Sequence, residues 1–268
     1  MKFAKSILYF IKDIIDKRLI IADLVKRDIQ KQYVGSYLGF VWVFLQPLLF
    51  ILILYTVFTV GFRSGATNDM PFSIYLIAGM IAWLHFSVNI STNTNVIRSY
   101  SFLVKKVDFR LSILPIVQLL SSSVAHFILI LVTIGFAWSI GYPPTIYTLQ
   151  IIYYYFAMSV LLLGIGWMTS SMSIFVNDVA KFMSVLVQFG FWLTPIFWNI
   201  SLIPDRYRWL IELNPAYYII TGYRDSIVSE IGFWERNNSI YFWIITIFIL
   251  IVGINIYRRL RPHFAEVI

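Results

Sequence analysis

The sequence contains no cysteine among its 268 residues, and this absence excludes several kinds of chemistry. Thiol catalysis, thiolate metal sites and disulfide bonds all require cysteine. Histidine is also scarce, with only His85, His126 and His263, and no H-E-x-x-H motif is present. Such motifs supply the clustered ligands of zinc sites. We therefore predict no metal site, and we expect His85 and His126 to be neutral histidines that are hydrogen-bonded between helices.

The sequence also lacks a phosphate-binding loop for ATP and a cleavable signal peptide for secretion. The dipeptide Gly-Lys does not occur, so the sequence has no G-x-x-x-x-G-K-[ST] loop for holding ATP phosphates. Residues 1–38 carry charges throughout and lack the compact apolar core of a cleavable signal peptide. We expect no cofactor in this chain and expect its N-terminus to remain on the mature protein.

Charged side chains are absent from six long apolar runs, which lie at residues 39–60, 72–89, 111–140, 149–170, 182–198 and 239–257. A helix that crosses a bilayer needs about 20 mostly apolar residues. A charge at the bilayer centre costs roughly 3 kcal/mol or more. The exclusion of charged residues from all six runs therefore indicates that the runs cross a membrane. The sequence predicts an all-α polytopic membrane protein with six transmembrane helices.

Basic residues are distributed unevenly between the segments that connect these runs. Sixteen of the 21 Lys and Arg residues lie in residues 1–38, 90–110, 171–181 and 258–268, and five lie in the alternating segments. The positive-inside rule places the richer side in the cytoplasm. We expect both termini to be cytoplasmic. The high isoelectric point is then a topology signal, and we predict no nucleic-acid partner.

Residues 1–38 form the first predicted region, a cytoplasmic amphipathic segment, and residues 39–268 form the six-span membrane domain. An apolar stripe recurs every four residues from Ile21 through Val25 and Ile29 to Tyr37, with basic residues away from it. Such a helix lies in the membrane interface, with its apolar side toward acyl chains and its basic side toward water. We refer to it as the interface helix.

Polar residues within the runs must face helices, water or a partner, because lipid does not tolerate them. The second run ends in a polar stretch at residues 87–95, and Gln118, Ser122 and His126 share one face of the third. Gly164 and Gly166 in the fourth run allow close helix contact. Residues 199–238 are aromatic and proline-containing but too interrupted to span, which predicts re-entrant or interfacial short helices between spans five and six.

An ordered set of motifs resembles the permease subunit of a polysaccharide-exporting ABC transporter of the type-2 exporter fold. The resemblance is greatest to O-antigen exporters, with teichoic-acid and capsule exporters as relatives. The matching residues keep the order of the spans and are Arg27-Asp28, Tyr33, Leu38-Gly39, Trp42, Pro47-Leu48, Lys105-Lys106, Ile113-Leu114-Pro115, Asn177-Asp178, Thr194-Pro195-Ile196, Leu213-Asn214-Pro215 and Arg224-Asp225.

This resemblance implies an inner-membrane subunit of a bacterial exporter, in which two copies form the channel. Two copies of a separate ATPase, carrying ATP and Mg, would bind on the cytoplasmic side. The substrate would be a polysaccharide linked to polyprenyl pyrophosphate. The sequence does not specify the sugar repeat.

Four groups of residues are candidates for these roles. Short cytoplasmic coupling helices would contact the ATPase through Lys105, Lys106, Asp108, Arg110, Asn177 and Asp178. The interface helix would meet membrane lipid or the pyrophosphate through Arg18, Lys26, Arg27, Lys31 and Tyr33. The candidate channel lining is Tyr55, Trp83, Phe86, Asn89, Gln118, Ser122, Gln188 and Trp192. The candidate external gate is Asn214, Pro215, Tyr217, Tyr218 and Arg224.

Two other functions fit the sequence. One is a type-2 ABC exporter of a small lipophilic molecule, whose cavity should need fewer polar groups than this chain supplies. The other is an integral membrane transferase acting on a lipid-linked sugar, which needs convergent carboxylates. Its candidate residues are Asp205, Glu212, Asp225 and Glu230.

Overall fold

The computed structural model describes residues 15–33, 37–62, 70–104 and 110–267. In these ranges the chain forms α-helices joined by turns and short loops. The helices are α1 (Arg18–Tyr33), α2 (Trp42–Thr56), α3 (Phe72–Ser99), α4 (Ser101–Val104), α5 (Leu114–Ser139), α6 (Gln150–Phe175), α7 (Asp178–Leu193), α8 (Asp205–Glu212), α9 (Pro215–Arg224), α10 (Ser239–Leu260) and α11 (Phe264–Val267).

Five helical stretches of the described chain are long and apolar enough to cross a membrane. They are Trp42–Gly61, Phe72–Ser99, Leu111–Ser139, Ile146–Phe175 and Ser239–Val267, and they coincide with five of the six predicted runs. The remaining run falls on α7, which has 16 residues and measures about 24 Å at 1.5 Å per residue. It ends at Leu193 because Thr194 precedes Pro195 and is extended.

Helix α3 lies at the centre of the bundle. Two thirds of the most apolar stretch of α3 is buried. The helix packs against α5, α6, α7 and α9. Its polar stretch is buried at Asn89, Asn93 and Thr94. Thr94 Oγ1 lies 3.0 Å from Thr169 Oγ1 of α6, and Ser173 donates to the Thr94 carbonyl at 2.6 Å. These polar residues therefore face other helices, which is one of the three environments that the sequence allowed.

Helices α6 and α10 make the most extensive helix pair of the fold. A Cβ atom on Gly164 would lie 2.9 Å from the Leu250 backbone, and one on Gly253 would overlap the Gly164 carbonyl. Only glycine permits the two backbones to approach this closely. The predicted close contact through the small residues of α6 is confirmed.

Helices α2 and α7 are lightly packed within the chain. Only 11% of the most apolar stretch of Trp42–Gly61, which contains α2, is buried, and α7 contributes no buried residue. Their outer surfaces carry large apolar side chains, including Leu52, Ile53, Phe182 and Phe189. In a membrane protein such surfaces face lipid or another chain.

The interface helix α1 packs against the beginning of α5. Ile21 is buried against Ile113 and Val117. The prediction that the whole apolar stripe faces acyl chains was therefore wrong at Ile21, where protein covers it. Tyr37, the last predicted residue of the stripe, lies outside α1 and is fully exposed.

Candidate functional site

A buried polar cluster joins α3 to α5 near the middle of both helices. Asn89 Nδ2 donates to Ser122 Oγ at 2.9 Å and to the His85 carbonyl at 2.8 Å. Ser122 in turn donates to the Leu119 carbonyl at 2.9 Å. Asn89 is fully buried, and Ser122 is half-buried. These two predicted lining residues therefore hold helices together within this chain.

The two histidines of the spans lie side by side in the same cluster. The rings of His85 and His126 stack with 4.2 Å between their centroids. His126 Nε2 lies 2.7 Å from the Tyr223 hydroxyl of α9, so His126 is hydrogen-bonded between helices, as expected. Sequence reasoning missed Tyr223 because no periodic pattern links α9 to α5.

The aromatic candidates of α3 are also buried. The Trp83 ring lies 5.7 Å from that of Phe86 and 6.1 Å from that of Phe191 on α7. A Cβ atom on Gly190 would lie 2.9 Å from the Trp83 ring, so the absence of a side chain there allows the contact. Trp83 therefore packs α3 against α7, and Phe86 packs against Trp83 on the same helix.

The eight predicted lining residues thus divide into two groups. Trp83, Phe86, Asn89 and Gln118 are buried, and Ser122 is half-buried. Tyr55, Gln188 and Trp192 are exposed on the lightly packed helices α2 and α7. Only the exposed group is directly accessible to a passage formed with another chain.

A cleft of about 660 Å³ opens between α2, α3 and α5. It is lined mostly by apolar side chains and borders the polar cluster at its wall. The lining residues are Ile29, Trp42, Val43, Gln46, Pro47, Phe50, Ile81, Leu84, His85, Val88, Ser121, Ser122, Val124, Ala125, His126 and Leu129.

The segment between α7 and α10, residues 199–238, contains the predicted pair of short helices, α8 and α9. Asn214 caps α9 by accepting from the Ala216 amide at 3.0 Å, and its Nδ2 donates to Thr194 Oγ1 at 2.9 Å. Pro215 occupies the first turn, where its missing amide proton is no loss. Tyr217 is half-buried. The buried Tyr218 hydroxyl lies 2.9 Å from Ser239 Oγ.

Arg224 is a buried anchor of this segment. Its Nε donates to the Tyr75 carbonyl at 3.1 Å, and Nη2 donates to the Ile196 carbonyl at 2.7 Å. The guanidinium also lies 3.5 Å from the centre of the Tyr75 ring. Burial lowers the pKa of Arg224, and the Tyr75 contacts oppose that effect. Arg224 therefore ties the end of α9 to α3 and to the turn after α7.

The buried Asp225 lies next to Arg224 and forms an ion pair with Arg236 that sequence reasoning missed. Arg236 donates from Nε to Asp225 Oδ2 at 2.7 Å and from Nη2 to Asp225 Oδ1. Burial raises the pKa of Asp225, and Arg236 acts against that shift. The carboxylate proposed for a transferase at position 225 is thus already bound. Asp205 is exposed and pairs with Arg208.

Helix α1 presents its cations to the outside. Arg18, Lys26, Arg27 and Lys31 are exposed, and the Tyr33 side chain lies outside the described part of the chain. The buried Asp28 accepts a hydrogen bond from the Tyr100 hydroxyl at 3.2 Å. Burial, together with the Asp28 carboxylate, raises the pKa of Tyr100 to about 12. This contact, which sequence reasoning missed, joins α1 to the end of α3.

The described coupling residues are Arg110, Asn177 and Asp178. Lys105, Lys106 and Asp108 lie outside the described residues. Arg110 is exposed. Asn177 and Asp178 are exposed at the beginning of α7, where Asp178 pairs with Lys181 at 3.2 Å. Arg110, Asn177 and Asp178 are therefore accessible to a partner.

Comparison with known proteins places this architecture in a family. Two O-antigen export system permease proteins RfbA from Klebsiella pneumoniae are 26% and 28% identical over 91% of this chain and 93% of their own length. The RfbA protein of Myxococcus xanthus is 24% identical over 96% of this chain and 98% of its own length. The family model described as ABC-2 type transporter matches residues 21–228. The chain belongs to the ABC-2 type transporter family.

Proposed function

We propose that this chain is the channel-forming permease subunit of an ATP-driven exporter of a lipid-linked polysaccharide. The substrate is an O-antigen-like glycan on polyprenyl pyrophosphate, moved across the cytoplasmic membrane of a bacterium. The observation that carries the proposal is similarity, over at least 91% of the chain, to permeases named for O-antigen export.

ATP hydrolysis takes place on a separate ATPase subunit, because this chain has no phosphate loop. Two copies of this chain form the channel, and two ATPase copies with ATP and Mg bind below. The lightly packed surfaces of α2 and α7 support contact with a second copy. Helix α7 completes a sixth crossing, so that both termini are cytoplasmic.

The ATPase acts on the two cytoplasmic loops. Arg110, Asn177 and Asp178 are exposed, as a docking surface requires. Lys105, Lys106 and Asp108, which lie outside the described residues, are proposed to act with them. The contact between Asp28 and Tyr100 connects the first loop to α1. A displacement of the loop is thereby passed to the interface helix and on to α2.

The pyrophosphate group meets the exposed cations of α1, which are Arg18, Lys26, Arg27 and Lys31. Guanidinium and ammonium groups bind phosphate oxygens through charge-assisted hydrogen bonds. The glycan then passes along Tyr55, Gln188 and Trp192, which offer aromatic surfaces and a neutral hydrogen-bonding group. The re-entrant hairpin of α8 and α9 closes the external end.

The transferase alternative has less support. Asp225 is held by Arg236, and Asp205 is exposed beside Arg208. These two carboxylates are engaged with separate arginines, whereas acid–base chemistry needs groups that converge on one substrate atom. The small-molecule alternative finds some support in the apolar cleft, but none in the names of the relatives compared above.

The experiment that tests the proposal is purification of the tagged chain from its native cell, followed by identification of the proteins that accompany it. An ABC ATPase in equal amount is expected, and the reconstituted complex should export lipid-linked glycan only when ATP is hydrolysed. A chain that purifies without an ATPase, under conditions that preserve other ABC complexes, would contradict the proposal. The variant Asp178→Lys should reduce ATPase recovery, whereas Asp205→Lys on α8 should not.

A further inference from the structure

The cleft between α2, α3 and α5 has an apolar surface in spite of the polar residues in its wall. Ser121 Oγ donates to the Val117 carbonyl at 2.8 Å, and Ser122 is bonded to Asn89. His126 is bonded to Tyr223 at 2.7 Å. The two serine hydroxyls and His126 Nε2 are thus bonded within the chain and do not require a polar ligand, whereas the buried His126 Nδ1 has no hydrogen-bond partner. The remaining lining is largely aliphatic, which favours a hydrocarbon occupant.

The cleft follows α2 from Trp42 to Phe50. Eight residues at 1.5 Å each give about 12 Å of helix, enough to accompany part of a single acyl chain. Trp42 is 43% exposed, and Phe50, which also lines the cleft, is 40% exposed. The surrounding bilayer therefore has direct access to the cleft.

One end of the cleft is bordered by Ile29 of helix α1. Lys26 precedes Ile29 by three residues, so the two are neighbours on the helix surface. Lys26 is exposed, and Arg27 and Lys31 beside it are exposed as well. Of the acidic residues of α1, Asp28 is buried against Tyr100, and Asp23 is exposed. The exposed cations outnumber the exposed carboxylate next to the cleft.

We propose that this cleft is a binding site for an anionic phospholipid of the surrounding membrane. One acyl chain lies between α2, α3 and α5, and the phosphate lies against Lys26 of α1. Charge complementarity selects the anionic headgroup, and the apolar walls bind the chain. The apolar part of the site is separate from the exposed surface along which the glycan is proposed to move, whereas Lys26 belongs both to this site and to the proposed pyrophosphate contact.

Trp42 allows the site to be tested with the full-length chain in nanodiscs. Phosphatidylglycerol or phosphatidylcholine with brominated acyl chains would be titrated in, and tryptophan quenching would be recorded. The difference between the wild type and Trp42→Phe isolates the Trp42 signal from that of the other tryptophans. Brominated phosphatidylglycerol should quench Trp42 at several-fold lower mole fraction than brominated phosphatidylcholine.

Two variants, each measured with and without Trp42→Phe, separate the chain site from the headgroup site. Ala125→Phe fills the cleft and should remove the preference for phosphatidylglycerol, whereas Leu131→Phe, on the same helix but outside the cleft, should retain it. Lys26→Gln is an exposed change that should preserve folding. It should weaken the preference about fivefold, the equivalent of about 1 kcal/mol per basic residue at a membrane surface.

Each of the other outcomes overturns the proposal. Equal quenching by the two lipids would mean that only annular lipid reaches Trp42. A preference that survives Ala125→Phe would place the lipid outside the cleft. Polyprenyl phosphate displacing phosphatidylglycerol at a lower mole fraction would make the carrier lipid the occupant. If Trp42 were not quenched and instead formed cross-links between copies, the occupant of the cleft would be a second copy of the chain.

Discussion

The hairpin segment 199–238 and the interface helix α1 both lie outside the long helices, yet they are held very differently. In the hairpin the buried charges have strong partners: Arg224 binds two carbonyls, and Asp225 binds Arg236 through both oxygens. In α1 the buried Asp28 has one hydrogen bond, at 3.2 Å, and its other oxygen has none. The cations of α1 remain exposed.

This difference indicates which part of the chain can move at low cost. Separating the hairpin from α3 would take the Tyr75 carbonyl and ring away from the buried Arg224, which is strongly unfavourable for a buried charge. Separating α1 from α3 would expose one carboxylate and a small apolar contact around Ile21. We infer that the hairpin behaves as a fixed part of the bundle, and that α1 is the element suited to respond to a partner.

The largest expected effect is on the hairpin ion pair. Asp225→Ala should destabilise the chain by about 3 kcal/mol, because it removes both charged hydrogen bonds between the buried carboxylate and Arg236, whose side chain is 32% exposed. The change should appear as a large fall in the thermal unfolding midpoint of the purified protein in detergent. The matched change Asp205→Ala removes an exposed pair on α8 and should alter the midpoint little. Equal effects of the two variants would refute the view that the hairpin charges are structural.

A smaller loss is expected for Arg224→Lys. Lysine retains the positive charge but cannot reproduce the fork that reaches both the Tyr75 and Ile196 carbonyls. Hydrogen bonds to charged groups contribute about 1.5–3 kcal/mol each, so the loss of one should cost about 2 kcal/mol. The unfolding midpoint measures this cost, and Arg206→Lys on exposed α8 is the control. If Arg224 were instead a mobile gate residue, stability would be unchanged and export alone would fall.

The helices of the chain were more predictable than its side-chain partners. Exclusion of charges located five helices long enough to span, because the bilayer penalises every misplaced charge. The sixth run was harder to interpret, because apolar composition extends to Trp198 whereas Pro195 stops the helix at Leu193. The small residues of α6 predicted close packing correctly because glycine has a direct steric meaning.

The candidate site was predicted less well for a physical reason. Residue type does not indicate whether a polar or aromatic side chain faces a channel or a neighbouring helix, since both environments favour the same residues. Trp83 packs against α7 and Asn89 donates a hydrogen bond to α5, whereas Trp192 is exposed. The pairs Asp28–Tyr100 and Asp225–Arg236 join residues 72 and 11 positions apart, and no local pattern connects them.

The smallest effect on stability, and the most selective effect on function, is expected for Tyr100→Phe. The hydroxyl bond to Asp28 is long and Tyr100 is half-buried, so its loss should cost about 1 kcal/mol or less. If α1 responds to the ATPase through this bond, the complex should continue to hydrolyse ATP while less glycan is exported per ATP hydrolysed. The measurement is the ratio of the two rates in reconstituted vesicles.

The control for this prediction is the same chemical change in the firmly held region. Tyr207→Phe removes an exposed hydroxyl from α8 and should leave both the export rate and the hydrolysis rate unchanged. A parallel fall of export and hydrolysis in Tyr100→Phe would show that Tyr100 supports ATPase binding itself. A lower ratio of export to hydrolysis in Tyr100→Phe, but not in Tyr207→Phe, would locate the mobile connection at α1. The Tyr207→Phe variant retains all of the contacts that fix the hairpin to α3.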